Sequence, residues 1–158
     1  MKKTRNLFAI FAMSALAAIC GFAQTPPTPA NPSYDADLAR KLGANDYGLR
    51  QYIMCVLKTG PLKVDDAKRA ELMRGHFGMI NRLANEGKLV LAGPFTDGGE
   101  FRGIYIFDVP TIEAARALTE TDPSIKEGYF KVEFLKWNAS AALMQVNETH
   151  KKIARVSP

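Results

Sequence analysis

Cysteine and histidine are scarce in this chain of 158 residues, which contains two of each. Cys20 lies in the N-terminal leader, so only Cys55 would remain after processing, which excludes a disulfide bond within one chain. No cysteine or histidine spacing matches a metal site. The glycines at 98–99 are not followed by the lysine, serine and helix start of a phosphate-binding loop. We therefore expect neither a metal nor a cofactor.

Long hydrophobic runs are also scarce. The longest, Leu7–Ala18, falls short of the ~20 residues that a membrane-spanning helix needs. It follows three cations near the N-terminus and precedes a Gly-Phe-Ala sequence, which places small residues at the −3 and −1 positions of a cleavage site. This pattern predicts a signal peptide at residues 1–23 that is cleaved after Ala23. Lipidation of Cys20 is the disfavoured alternative, because Ile19 is a poor residue before a lipidated cysteine.

Excess positive charge is largely a property of this leader. The formal net charge is +5, and the leader carries three cations and no acid, so cleavage lowers the charge to +2 and leaves 135 residues. No basic stripe remains to indicate a nucleic-acid partner. We expect a periplasmic or secreted protein that makes no membrane contact after signal cleavage.

The rest of the chain predicts one α+β domain. A proline-rich tether and short extension occupy 24–48, the domain occupies 49–138, and a C-terminal extension occupies 139–158. Strands are predicted at 50–57, 88–95, 102–109 and 129–137, and helices at 65–86 and 112–120. Shorter helical patterns flank the domain at 35–42 and 139–152. The order βαββαβ is the ferredoxin-like arrangement, with two helices on one face of an antiparallel sheet.

The predicted strands are apolar on both faces. Residues 52–57 (YIMCVL) show no alternation with polar residues, and 89–92 (LVLA) and 104–107 (IYIF) repeat this pattern. Two helices cover only one face, and a monomer rarely exposes an apolar patch as large as a sheet face. We therefore expect a homodimer with its sheets face to face, a second copy being the simplest cover.

A candidate site lies in the stretch 74–99. His76 falls on the apolar stripe of the predicted helix, and Asp97 follows the second strand in an Asp-Gly-Gly turn. An antiparallel return of the strand can bring the two together. A carboxylate on one imidazole nitrogen fixes the tautomer, and the other nitrogen then moves protons near neutral pH. Simpler interpretations stay open: a core histidine bonded to a carbonyl or carboxylate, and a turn aspartate.

Three further residues are candidates for substrate contact. Phe95 and Tyr52, together with Met54 and Tyr105, could line an apolar pocket, although aromatic residues at strand spacing are often core or interface residues. Asp122 precedes a proline and is most simply a turn or helix-stop residue. We include Phe95, Asp122 and Tyr52 as substrate-binding candidates.

Several segments resemble the YCII-related family over residues 51–138. The matching pieces are the helical His76, Glu86-Gly87-Lys88-Leu89, Ala92-Gly93-Pro94 with Asp97 after it, Glu113-Ala114-Ala115 and Asp122-Pro123. The resemblance implies a ferredoxin-like fold that pairs as a dimeric α+β barrel. It also implies that His76 and Asp97 correspond to the proposed catalytic pair of the family, in which aromatic dehydrochlorination is one known reaction.

Two functional hypotheses follow. In the first, His76 held by Asp97 is a general acid/base acting on a small cyclic or aromatic molecule, in lyase- or isomerase-type chemistry that needs no cofactor. In the second, the protein is a non-catalytic module of the same fold that binds a small molecule or serves in a stress response. A cofactor-free monooxygenase has less support, because nothing in the sequence indicates oxygen chemistry.

Overall fold

The computed structural model describes residues 31–156. The predicted signal peptide at 1–23 and most of the predicted tether lie outside the described residues. The chain from Asp35 onward forms one compact unit. Within the described part of the chain, no helix has the length and apolar character needed to cross a membrane.

Four antiparallel strands form one sheet in the order β2-β3-β1-β4. Their bounds are β1 Leu49–Thr59, β2 Leu89–Pro94, β3 Phe101–Phe107 and β4 Phe130–Ser140. In the register of the central strands, Cys55 lies opposite both Tyr105 and Phe134. This order confirms the ferredoxin-like α+β fold predicted from the sequence, and it leaves β2 at one edge of the sheet.

Helices precede, connect and follow these strands. They are α1 Ala36–Leu42, α2 Asp66–Asn85, α3 Ile112–Thr119, α4 Pro123–Lys126 and α5 Val146–Ile153, with a 3₁₀ helix at Ala141–Gln145. Asp65 caps α2 by accepting a hydrogen bond from the Lys68 N–H, and Gly87 follows its end with a φ of 71°. The C-terminal helix starts later than predicted, because β4 continues to Ser140.

One face of the sheet packs on α2 and α3. Ile53, Cys55 and Leu57 of β1 point to this side and join Leu83 of α2 in the main core. Burial raises the pKa of the Cys55 thiol to about 12. The thiol therefore stays protonated near neutral pH, as expected for a buried and inert cysteine.

The opposite face of the sheet, which we call the outer face, has a buried part and a more open part. Tyr52, Val90 and Ile106 are buried there, and Leu143 and Met144 of the C-terminal segment pack against them. On the same face, two residues of β4 are more open: Leu135 is 46% exposed and Trp137 is 37% exposed. The C-terminal segment of the same chain thus covers part of the apolar face for which a second copy was expected.

Candidate functional site

Asp122 begins α4 and has a fully buried side chain. As the N-cap residue, it accepts hydrogen bonds on Oδ1 from the Ser124 backbone N–H at 2.9 Å and from Ser124 Oγ at 2.6 Å. Pro123 occupies the first helical position, where a fixed φ and a missing N–H suit a helix start. The local Asp-Pro-Ser sequence therefore holds the carboxyl group by Oδ1 and leaves Oδ2 for a partner from another element.

That partner is His76 of α2. Its Nδ1 lies 2.7 Å from Asp122 Oδ2. The residue before it is Gly75, where a Cβ atom would lie 2.3 Å from Pro123 Cγ. Because Cβ atoms essentially never approach another heavy atom within 3.0 Å, a side chain at this position would force α4 and α2 apart. Gly75 therefore permits the close packing that joins His76 to Asp122.

Tyr105 of β3 completes the buried network. Its hydroxyl lies 3.1 Å from Asp122 Oδ2, and 3.0 Å and 3.3 Å from Nδ1 and Nε2 of His76. Burial and the negative charge of Asp122 raise the pKa of Tyr105 well above its usual value. The hydroxyl therefore keeps its proton and can donate it to the carboxylate. With Tyr105, Asp122 accepts four hydrogen bonds from three residues.

The hydrogen bonds determine the charge state of Asp122. Burial by itself would raise the pKa of this carboxyl, but hydrogen bonds from His76 and Ser124 outweigh that effect and the pKa is lowered. Asp122 is therefore a carboxylate at neutral pH and can only accept hydrogen bonds. It follows that Nδ1 of His76 carries a hydrogen. In the neutral imidazole, Nε2 then has the free lone pair.

His76 lies on the wall of a groove of about 980 Å³. The groove follows the edge strand β2 between α2 and the C-terminal segment. The rings of Phe77 and Phe130, which also line it, are centred 5.5 Å and 5.4 Å from the imidazole. His76 and Tyr105 line the groove, whereas Asp122 and Ser124 are not among the lining residues. A molecule in the groove would thus meet the imidazole, with the carboxylate behind it.

Asp97, the expected partner of His76, is placed elsewhere. It is exposed between β2 and β3, and it is neither a hydrogen-bond partner of His76 nor among the residues that line the groove. The distance along the helix axis from His76 to Gly87 is ~17 Å. Strand β2 runs back over the same distance in about five residues at ~3.3 Å each. The strand is therefore level with His76 near Pro94, and Asp97 lies beyond it. The carboxylate that is hydrogen-bonded to His76 in the structure is therefore that of Asp122.

The substrate-contact candidates occupy three different environments. Phe95 lines the groove, is 43% exposed, and packs edge to face against Phe101. Asp122 lies behind His76 as described. Tyr52 is fully buried on the outer face of the sheet, where its hydroxyl donates to the Ser140 carbonyl at 3.2 Å. Tyr52 does not line the groove. It points to the opposite face of the sheet from Ile53, which takes the helix side.

Sequence reasoning missed two members of the network. Ser124 was not considered, and Tyr105 was considered only as one apolar wall among several. The signal for Ser124 is the Asp-Pro-Ser sequence itself, since an aspartate before a proline at the first helical position is typical of a capped helix start. No local signal marks Tyr105, because its role depends on the register that sets β3 beneath α2.

Between residues 31 and 156, no group of three or more histidine, cysteine, aspartate or glutamate side chains is arranged to hold a metal ion. His76 and Asp122 are accompanied by Tyr105 and Ser124, whose hydroxyl groups complete their hydrogen bonding. The donor set is therefore that of a hydrogen-bonded acid–base pair.

Comparison with known proteins identifies the family of this fold and site. Residues 52–138, more than half of the chain, match the model of the YCII-related domain. The chain is also similar to a protein of Bacillus subtilis (strain 168) named uncharacterized protein YjpA, with 26% identity over 86 residues, which span 54% of this chain and 92% of that protein. The region that matches the family model includes His76 and Asp122 but ends before the C-terminal helix. The chain belongs to the YCII-related domain family.

Proposed function

We propose that the protein is an enzyme in which His76 acts as a general acid/base on a small cyclic or aromatic molecule. One observation carries the proposal: the imidazole on the wall of a 980 Å³ groove is hydrogen-bonded from behind by a buried carboxylate at 2.7 Å. A histidine oriented in this way is a common proton-transfer group at neutral pH.

The proposed step is proton abstraction followed by elimination or isomerisation. Nε2 of His76 takes a proton from a carbon of the substrate, and the electron pair of the broken C–H bond forms a new carbon–carbon double bond. In an elimination, the leaving group departs with its own bonding pair. In an isomerisation, an existing double bond next to the new one breaks at the same time, and its electron pair takes the proton that the imidazolium returns to the far carbon of that bond. Asp122 stabilises the positive charge that His76 carries between these events. The proposed chemistry uses no cofactor.

In this proposal Asp122 is a positioning residue, and the aromatic wall holds the substrate. Phe95 lies beside the groove and is a candidate for substrate contact, together with Phe77. The hydroxyl of Tyr105 is 3.1 Å from Asp122 and contributes to holding the carboxylate ionised. Substrate contact by Tyr52 is not included, because that side chain is fully buried and does not line the groove.

A non-catalytic binding module is the second candidate function. The observation that favours it is the burial of His76, which is only 7% exposed and already has hydrogen-bond partners. In such a module, the groove would bind its ligand by its apolar wall, and the network would serve only to pack α2, α4 and β3 together.

Hydrogen exchange into carbon acids separates the two candidates. A panel of small cyclic and aryl ketones is incubated with the protein in heavy water, and deuterium incorporation at carbon is followed by NMR. The enzyme hypothesis predicts exchange that is catalysed by the wild-type protein and lost in His76→Asn. Binding of panel members without exchange, by a folded wild-type protein, would favour the module instead.

Two aspartate variants decide which carboxylate serves His76. Asp122→Asn is expected to lower the exchange rate by ~10²- to 10⁴-fold, the range in which an acid–base group or its orienting carboxylate contributes. Asp97→Asn makes the same chemical change at the exposed aspartate and is expected to leave the rate within about twofold. The reverse pattern would restore Asp97 as the catalytic partner and contradict the assignment of Asp122.

We also propose that the protein is exported and works as a homodimer. The export proposal rests on the leader pattern at 1–23. The dimer proposal rests on the open part of the outer sheet face, where Leu135 and Trp137 are exposed beside the half-buried Met54 and Ile104. Ile104 also lines the groove, so a partner on this face would extend the wall of the site.

A further inference from the structure

The groove beside His76 has charges of one sign. Its 28 lining residues include four lysines and arginines and no aspartate or glutamate. The cations are Arg69, Arg102, Lys151 and Arg155. An anion in the groove would therefore not be repelled by any acidic side chain that lines it, whereas a cation would be repelled by the lysine and arginines.

Three of these cations have no acidic partner among residues 31–156. Arg69 forms an ion pair with Asp66 at 3.0 Å. In the described part of the chain, Arg102, Lys151 and Arg155 form no ion pair. The neighbouring Lys152, which is not among the lining residues, pairs with Glu148 at 3.1 Å. Three of the four cations that line the groove are thus unpaired, whereas the neighbouring Lys152 outside it is paired.

The remaining wall of the groove is largely apolar. Met73, Phe77 and Ile80 of α2 and Leu91 and Ala92 of β2 contribute apolar side chains to it. Apolar walls with a few convergent polar groups are typical of small-molecule sites. A ligand that matches both properties has an apolar body and one negative charge.

We propose that the groove binds an amphipathic carboxylate, an aryl-substituted carboxylic acid, and that Arg102 is the residue that contacts the carboxylate. This inference rests on the proposed function, whose substrate class it names. Arg102 shares the groove wall with Phe130, whose ring is 5.4 Å from His76. The planar guanidinium offers two parallel N–H donors that match the two oxygens of a carboxylate.

Lys151 and Arg155 have a different role in this proposal. Like Arg102, both are exposed. They line the C-terminal wall of the groove and would act on the anion at a distance through solvent, where salt screens their charges, whereas Arg102 would contact the carboxylate directly. They attract the anion toward the groove, while Arg102 fixes its orientation beside His76. The two contributions therefore differ in salt dependence.

Calorimetric titration with three probes of one shape tests the proposal. The probes are 4-phenylbutyrate, 4-phenylbutanol and 4-phenylbutylamine, which carry a negative charge, no charge and a positive charge on the same apolar body. The wild-type protein is expected to bind the acid about tenfold more tightly than the alcohol, and the amine least tightly. This advantage corresponds to one charge-assisted interaction.

Matched variants locate the anion contact. Arg102→Gln is expected to remove most of the tenfold advantage at low and high salt, whereas Arg74→Gln, the same change at an exposed residue of α2 outside the groove, is expected to preserve it. Lys151→Gln is expected to weaken binding of the acid by about two- to fivefold at low salt only. The control for that variant is Lys152→Gln, which should have little effect.

The outcomes also separate this inference from the proposed function. Equal binding of the acid and the alcohol, no binding of either, or equal losses in Arg102→Gln and Arg74→Gln would overturn the inference. The titration needs no turnover and is repeated with His76→Asn. Tighter binding of the acid in that variant supports the anion site independently of catalysis, and a protein that binds the acid but catalyses no exchange loses only the proposed enzyme function.

Discussion

Replacing Asp122 by asparagine tests the link between the buried network and the protonation of His76. The amide oxygen can keep the two hydrogen bonds from Ser124, which are 2.9 Å and 2.6 Å long. The amide NH₂ group then faces Nδ1 of His76 and donates to it. Nδ1 must accept, so the imidazole proton moves to Nε2 and the proposed base loses its free lone pair.

The structure also gives the size of the stability effect. Asp122 Oδ2 accepts from His76 at 2.7 Å and from Tyr105 at 3.1 Å. The variant replaces two hydrogen bonds to a charged group by neutral ones, while the neutral amide is easier to bury. We expect a net loss of about 1–3 kcal/mol in the free energy of unfolding. At ~4 °C per kcal/mol, the melting temperature falls by roughly 4–12 °C.

The stability loss depends on pH in a predictable direction. Because the pKa of Asp122 is lowered in the folded protein, its ionised form stabilises the fold at pH values above the unfolded-state pKa of about 4. That contribution is lost as the pH falls through the folded-state pKa. Wild-type protein and Asp122→Asn should therefore differ most in melting temperature near neutral pH, and the difference should shrink in acid.

NMR of the two histidines provides the assay for the tautomer. The sequence contains only two histidines, His76 and His150. The signals that are absent from the spectrum of His76→Asn are therefore those of His76. Long-range proton–nitrogen spectra distinguish a protonated Nδ1 from a protonated Nε2. We expect Nδ1–H in the wild-type protein and Nε2–H in Asp122→Asn. A wild-type spectrum with hydrogen on Nε2, or an unchanged tautomer in the variant, would refute the proposed orientation of His76.

Three other predictions concern packing, assembly and export. Gly75→Ala is expected to lower the free energy of unfolding by about 1–3 kcal/mol, measured by chemical denaturation, because its Cβ would lie 2.3 Å from a proline carbon. The control Gly78→Ala has open space at the Cβ position and should be neutral or stabilising. Equal effects of the two changes would contradict the packing argument. Leu135→Lys is expected to yield a folded monomer by light scattering, whereas a monomeric wild-type protein would contradict the dimer. Intact mass of protein from the envelope fraction should show cleavage after Ala23; a lipid-modified Cys20 would contradict it.

The sequence predicted most of the fold because the relevant signals are local. Asp65 caps α2 and Thr111 caps α3, each by accepting a backbone hydrogen bond at the expected position. Gly87 follows α2 in the left-handed conformation that favours glycine. Between these boundaries, apolar residues that recur every two positions predict strands, and those that recur every 3.6 positions predict helices. The order of these strands and helices along the chain allows few topologies.

The partner of His76 could not be predicted in the same way, because two carboxylates were compatible with the sequence pattern. Asp97 is 21 residues from His76 and Asp122 is 46 residues away, and the antiparallel return of the second strand favoured Asp97. The choice depends on where β2 ends relative to α2 and on the close approach of α4 at Gly75. Both are properties of tertiary packing and leave no periodic signal in the sequence.

The buried network also changes which experiment can identify a catalytic histidine. An exposed catalytic pair could lose His76 with little cost in stability, and a large loss from His76→Ala would then indicate a merely structural residue. Here, His76→Ala would leave the carboxylate of Asp122 buried with one partner fewer, which costs several kcal/mol whether or not the residue is catalytic. Melting temperature therefore does not separate the two functions. The exchange of substrate hydrogen does separate them, because a histidine that only packs the core can hold the same tautomer through Asp122 but transfers no proton to or from a bound molecule.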